Sequence, residues 1–93
     1  VTCPHLFKWK SMFYVYLLER VDAKEYYLGF TSDLRRRIKE HNQRVGSKTT
    51  KGYQWKLKYY EAYETKELAN KREKQLKTNR GSKRALYNRL GIS

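Results

Sequence analysis

Ninety-three residues carrying a formal net charge of +13 and a mean hydropathy of −1.02 describe one small, basic domain with a modest core. A lone cysteine, Cys3, excludes an intramolecular disulfide framework, and no apolar run approaches the roughly 20 residues that span a bilayer. The start, VTCPHLFKWK, lacks the apolar stretch of a signal peptide, so the expectation is a cytoplasmic protein with no membrane partner.

Residues 1–11 are expected to form an extension outside the domain, which then occupies residues 12–93. MFYVYLLE, Met12 to Glu19, is aromatic and β-branched without a breaker, and reads as a buried strand. RVDAKE is a polar turn, and YYLGFT, Tyr26 to Thr31, reads as a second strand in a hairpin with the first. Gly29 inside it marks a bulge or a place where another group comes close. Ser32 or Asp33 caps a helix over LRRRIKEHN, in which Leu34, Ile38 and His41 share a face. QRVGSKTTKGYQ reads as a basic loop, and WKLKYYEAYE, Trp55 to Glu64, as a third strand. TKELANKREKQLKTN is a helix capped by Thr65, with Leu68, Arg72 and Leu76 as its apolar-side stripe and Glu73 on the flank. GSKRALYNRLG adds a last helix, capped by Ser82, with Leu86 and Leu90 on one face and Gly91 as its stop. The order ββαβαα implies an α/β (α+β) fold, a small, mostly antiparallel three-stranded sheet flanked by helices. Nine tyrosines, three phenylalanines and two tryptophans must supply much of its core.

The charge points to a polyanion, since this much like charge opposes compaction unless it is used. Within the arginine run the three side chains are not equivalent. With about 100° between successive residues, Leu34 and Ile38 set the inward direction, and Arg36 points away from it into solvent. Arg37 and His41, four apart, are neighbours beside the apolar stripe. A guanidinium fork at the edge of the sheet matches a phosphate bidentately, although it also suits a nearby Glu. Glu73 sits among Lys71, Arg72, Lys74 and Lys77. It reads as an ion-pair partner, or as the one or two carboxylates Mg²⁺ needs when phosphate oxygens complete its shell. Tyr16 and Tyr27 fall on adjacent strands, and a hairpin brings their hydroxyls to one patch, either as core or as chemistry.

YVYLL, then YLGFTSDLRRRIKEHN, then ANKREKQLK together resemble the GIY-YIG nuclease family, most closely its small single-domain bacterial, excinuclease-like members. The resemblance runs from Met12 to Leu90 and matches Tyr16 to the tyrosine of the first signature, Tyr27 and Gly29 to the second, Arg37 to the helix arginine that binds the scissile phosphate, and Glu73 to the metal-binding glutamate. His41 matches a position that is His or Tyr in many members. Tyr14 stands where the first signature has glycine, Phe30 where some members have a lysine, and Ala85 where some have an asparagine, with Asn79 and Asn88 as loose substitutes.

The resemblance implies a metal-dependent DNA endonuclease that hydrolyses phosphodiester bonds and takes Mg²⁺ or Mn²⁺ on Glu73. The catalytic set is then Tyr16, Tyr27, Arg37, His41 and Glu73, with either tyrosine as the proton acceptor. Arg35, Arg36, Lys48, Thr49 and Lys51 are the residues expected to track a nucleic-acid backbone, which positions without reading sequence. Branched, damaged or single-stranded DNA are the candidate substrates and RNA stays open, as does a homodimer or protein partner as the source of specificity. The alternatives are a non-catalytic nucleic-acid-binding module that retains the fold, and a structural basic protein with no site.

Overall fold

The computed structural model describes residues 12–43 and 53–92; residues 1–11, expected to be an extension, and most of the expected basic loop lie outside them. The elements are β1 (Phe13–Arg20), β2 (Tyr26–Thr31), α1 (Leu34–Asn42), β3 (Trp55–Tyr63), α2 (Lys66–Thr78) and α3 (Arg80–Arg89), in the anticipated ββαβαα order. The sheet runs β2-β1-β3 and is antiparallel throughout.

As the central strand, β1 has no solvated face, which is why its sequence is apolar without alternation. Its even residues look one way: Tyr16 and Leu18 form a buried cluster with Trp55, packed by Tyr27 and by Leu34 and Ile38 of α1. Its odd residues look the other way, where Val15 joins Ala69, Leu76 and Leu86 of α2 and α3. The sheet is thus a middle layer between one helix and two.

β3 reconciles these layers with a bulge. Leu18 is opposite Leu57 but Leu17 is opposite Tyr59, so Lys58 is an extra residue on β3. The bulge reverses the side-chain phase along the strand. Trp55 and Leu57 before it, and Tyr60 after it, lie on the α1 face, whereas Tyr59 and Tyr63 pack towards α2 and α3.

Capping explains the helix limits. Asp33, not Ser32, caps α1: its Oδ1 accepts from Arg36 N at 3.1 Å, while its own N–H donates to Thr31 Oγ1 at 3.0 Å. Thr65 caps α2 as expected, accepting from Leu68 N. Ser82 does not cap α3. Asn79 does, accepting Ser82 N at 3.0 Å while its own N–H closes α2 on Gln75 O at 2.9 Å. One extended residue therefore ends one helix and starts the next, and Gly81 lies inside α3 rather than before it. At the far end Gly91 takes φ +76°, its N–H donates to Asn88 O and that of Ile92 to Tyr87 O, the double closure of a helix by a left-handed glycine.

The stripe expected on α2 also needs correction. Leu68 is half exposed, and the buried residues are Ala69 and Leu76. Positions 69, 73 and 76 share a face, so Glu73 belongs to the inward side of α2 rather than its flank. Arg72 turns to Glu61 on β3, making bonds of 2.9 and 3.1 Å to its two carboxylate oxygens, which also accept from the Tyr59 hydroxyl at 2.6 Å and from the Tyr63 hydroxyl. Burial alone would push the Glu61 carboxyl up, but the bonds from Arg72, Tyr59 and Tyr63 hold it below its ordinary value.

A native-state carboxyl held low binds fewer protons than the unfolded chain, so its contribution to stability is complete above the unfolded pKa and is lost as acid titrates the folded group. Glu61→Ala leaves half-buried Arg72 without its carboxylate, with only the Gln75 side chain still accepting from it at 3.0 Å, and is expected to cost about 2–4 kcal/mol in urea denaturation at neutral pH. The loss should shrink below about pH 4, and a pH-independent difference would rule out the ionised carboxylate as its source.

Candidate active site

Strand register does the first part of the assembly. Tyr16 is paired with Gly29, and Leu18 with Tyr27, so the two tyrosines are diagonal neighbours on one face of the hairpin, their ring centroids 6.4 Å apart. The Tyr16 ring and hydroxyl lie over Gly29. A Cβ built on that residue would overlap the hydroxyl and the ring carbon that carries it, closer than real Cβ atoms come to any neighbour. Gly29 is therefore a close-approach glycine, required because the Tyr16 hydroxyl fills the space a side chain would take.

α1 supplies the second part. His41 is completely buried, its Nε2 2.9 Å from the Tyr16 hydroxyl and its ring centroid 4.9 Å from that of Tyr27. Arg37, one turn earlier, is half-buried and donates from Nη1 to Glu40 Oε1 at 2.9 Å. Arg36 is exposed, with its Nε 3.6 Å from the other Glu40 oxygen. The arginine run divides as its helical phase requires: Arg35 and Arg36 face solvent, and Arg37 faces the tyrosines.

Two contacts hold α1 in place, one absent from the sequence reading and the other, the pairing of Arg37 with a Glu, anticipated there without its partner being named. Asn42 presents its side-chain amide to the first residue of β3, Oδ1 accepting from Trp55 N at 2.7 Å and Nδ2 donating to Trp55 O at 2.9 Å. It pairs with the strand as a short piece of backbone would, directly after His41. Glu40 orients Arg37. The only available signal was the tripeptide EHN at the helix end, which by spacing alone is an ordinary polar C-terminal turn.

α2 brings Glu73, 21% exposed and paired with Lys77 at 3.1 Å. Its charge is felt at Tyr16, where it is one of the influences holding the hydroxyl protonated. Burial is the largest of these and pushes the Tyr16 pKa up to about 12, even though the Arg37 guanidinium beside it pulls down. His41 is displaced the other way, below the usual histidine range, by burial first and then by the Arg37 charge. At neutral pH the pair is a protonated phenol against a neutral imidazole.

Among the described residues no three His, Cys, Asp or Glu side chains gather as a metal cage. Glu73 alone does not make one, but it suits a hard cation that keeps water and phosphate oxygens in its shell. Its bond to the half-exposed Lys77 is of the weak surface kind and yields readily to a stronger charge. Lys48, Thr49 and Lys51 lie outside the described residues. No helix among those described is long and apolar enough to cross a membrane.

Two outcomes follow. Gly29→Ala should lower stability by about 1–3 kcal/mol through overpacking and shift the His41 ring resonances in NMR spectra, because the Tyr16 hydroxyl has to move; unchanged His41 signals would show that the overlap is relieved elsewhere. A histidine whose folded pKa is depressed stabilises the protein above the unfolded value of about 6.5 and loses that contribution as pH falls towards the folded pKa. Stability should therefore drop as the pH is lowered from neutral into this range, and His41→Gln should flatten the drop in denaturation profiles.

Residues 12–88 match the family described as the GIY-YIG catalytic domain. The chain is 38% identical over 78 residues to the UPF0213 protein VNG_2274C of Halobacterium salinarum, which covers 82% of this chain and all of that protein. It is 43% identical over 67 residues to the UPF0213 protein CPE1444 of Clostridium perfringens, covering 71% of each. The solution NMR structure of the UPF0213 protein BH0048 from Bacillus halodurans matches at 36% identity and a TM-score of 0.49, covering 83% of each chain. With a family match over nearly the whole described chain and a relative covered end to end, the protein belongs to the GIY-YIG catalytic domain family.

Proposed function

We propose that this protein is a metal-dependent endonuclease that hydrolyses phosphodiester bonds in DNA, with Tyr16, Tyr27, Arg37, His41 and Glu73 as its working residues. The observation that carries the reading is the buried Tyr16–His41 hydrogen bond with Arg37 beside it. A buried tyrosine hydroxyl needs a hydrogen-bond partner in any case, but an imidazole, a guanidinium neighbour and a glycine cleared beneath the ring together support a proton path that ends next to a phosphate-binding group.

A phenol with a pKa near 12 is not itself an adequate base at neutral pH. A neutral imidazole behind it solves the problem. With the ring proton on Nδ1, His41 Nε2 accepts the Tyr16 proton as the Tyr16 oxygen takes one from the attacking water. The proton passes from water to tyrosine to histidine, and hydroxide attacks phosphorus in line. Tyr27, against the His41 ring, borders the same path. Arg37 clamps the non-bridging oxygens in exchange for its bond to Glu40 and offsets their added charge. Glu73 is the residue that would hold Mg²⁺ or Mn²⁺, and a divalent ion there supplies positive charge at the leaving oxygen. The exposed Arg35 and Arg36 serve as backbone contacts, and the net charge of +13 draws the protein to its substrate.

A second reading, a binding module without catalysis, is favoured by two positions, of which Ala85 stands where some members have an asparagine. Phe30, at the position where some relatives of the fold have a lysine, is packed into the α2 and α3 side of the core and offers no base.

The distinguishing experiment is cleavage of duplex, flap and single-stranded DNA with Mg²⁺ or Mn²⁺. The wild type should nick at least one of them, and Glu73→Ala and Tyr27→Phe should not. Arg37→Lys keeps the charge but loses the fork, so its cleavage rate should drop about 100-fold while affinity changes little. Binding without cleavage by the wild type across the panel would establish the binding-module reading. Affinity independent of salt would sink both, since phosphate contacts release counterions.

A further inference from the structure

On the α1 face of the sheet, beside the proposed catalytic cluster, is an open groove of about 610 Å³. It is lined by the half-buried Tyr14 and Ile38 and by exposed Tyr60, Leu57, Arg35 and Asp33, among others. None of these belongs to the proton path.

Tyr60 is the informative residue. It is 51% exposed, on a strand whose other aromatic rings are at least half-buried. Its register partner on β1 is Tyr16 itself, so the two side chains rise from adjacent points on the same face. The Tyr16 hydroxyl leans away over Gly29 on β2, and Tyr60 stands on the opposite edge strand. The edge-on contact with Tyr14, centroids 5.9 Å apart, holds the ring in place and leaves much of it uncovered. Leu57, 37% exposed, extends the apolar surface. The Asp33 carboxylate and the Arg35 guanidinium are the charged groups of the lining: one accepts hydrogen bonds and the other suits a phosphate.

An apolar slot with one exposed aromatic plane, a hydrogen-bond acceptor and an arginine has the chemistry of a nucleobase with its phosphate attached. Tyr60 and Tyr16 are directly opposite on neighbouring strands, their Cβ atoms roughly 5 Å apart, so the platform adjoins the strand that carries the proposed catalytic tyrosine. The charge of the chain favours the same occupant. We infer that this groove is a base-stacking subsite that takes one unpaired nucleobase next to the phosphate to be cut, with Tyr60 as the platform. The inference rests on the nuclease reading of the neighbouring cluster and adds to it a preference for substrates with unpaired nucleotides.

The test is a binding measurement with divalent ions chelated, so that it does not depend on cleavage. Fluorescein-labelled oligo(dT) and a blunt duplex of equal length are titrated by anisotropy with wild type, Tyr60→Ala and Tyr60→Trp. Loss of one stacked base should weaken oligo(dT) binding by Tyr60→Ala about tenfold, leave the duplex within about twofold, and let Tyr60→Trp bind at least as well as wild type. Equal loss on both substrates, no loss on either, or a Tyr60→Ala that binds normally but converts a wild-type dimer into a monomer in sedimentation would overturn it, the last by assigning the groove to a second copy. If the wild type cuts no DNA while the oligo(dT) difference stands, the catalytic reading fails and the stacking subsite survives.

Discussion

The Tyr16 hydroxyl occupies space that exists only because residue 29 has no side chain. Much else in the molecule is arranged around that contact. Strand pairing sets Tyr16 over Gly29, the hairpin register brings Tyr27 alongside, and burial of the phenol leaves it with an imidazole and a guanidinium for company. Its neighbours then need anchors. The Asn42 side chain fastens the end of α1 to β3 beside His41, and Glu40 holds Arg37. Each of these is an ordinary interaction, and together they leave the hydroxyl few alternatives.

On the other side of the sheet the same economy holds. Glu61 receives bonds from Arg72, Tyr59 and Tyr63, and thereby ties α2 to β3 one residue away from Glu73. In a chain with a net charge of +13, acidic residues are scarce. The placement of Glu19, Glu40, Glu61 and Glu73 beside particular arginines and lysines shows where local order depends on charge. Arg35, at the solvent side of α1, has no such partner among these pairs and stays available to an outside anion.

The strands and helices were legible because their signals are local. The unbroken apolar run of β1, the hairpin spacing and the caps at Thr65 and Gly91 all act within a few residues. The last helix was misread at its start for the same reason. Gly81 and Ser82 look like a turn and a cap, whereas Asn79 performs both tasks by ending α2, a role that only appears once both helices are in view. On α2 the leucines at 68 and 76 suggested one stripe, but the sheet selects the face of Ala69 and leaves Leu68 exposed. That rotation moves Glu73 inward. The helical phase of Arg37 and His41 could be read from Leu34 and Ile38; the proximity of His41 to Tyr16, 25 positions away in sequence, could not, because it depends on how α1 crosses the sheet. Asn42 and Glu61, and the identity of Glu40 as the glutamate that pairs with Arg37, were not legible because a charged or amide side chain on a helix or strand shows its purpose only through its partner.

The bulge at Lys58 has a further consequence. One supernumerary residue makes β3 two half-strands of opposite phase, the first delivering Trp55 and Leu57 and the second Tyr60 to the α1 side of the sheet. Were the same residues in regular alternation, Tyr60 would turn towards α2, and Tyr59 and Glu61 would turn away from it. The extra residue is instead absorbed locally, and the strand pairs with consecutive residues of β1 on either side of it. A conservative exchange there perturbs one contact, whereas deleting Lys58 would straighten the ladder and still leave Leu57 opposite Leu18 and Tyr59 opposite Leu17.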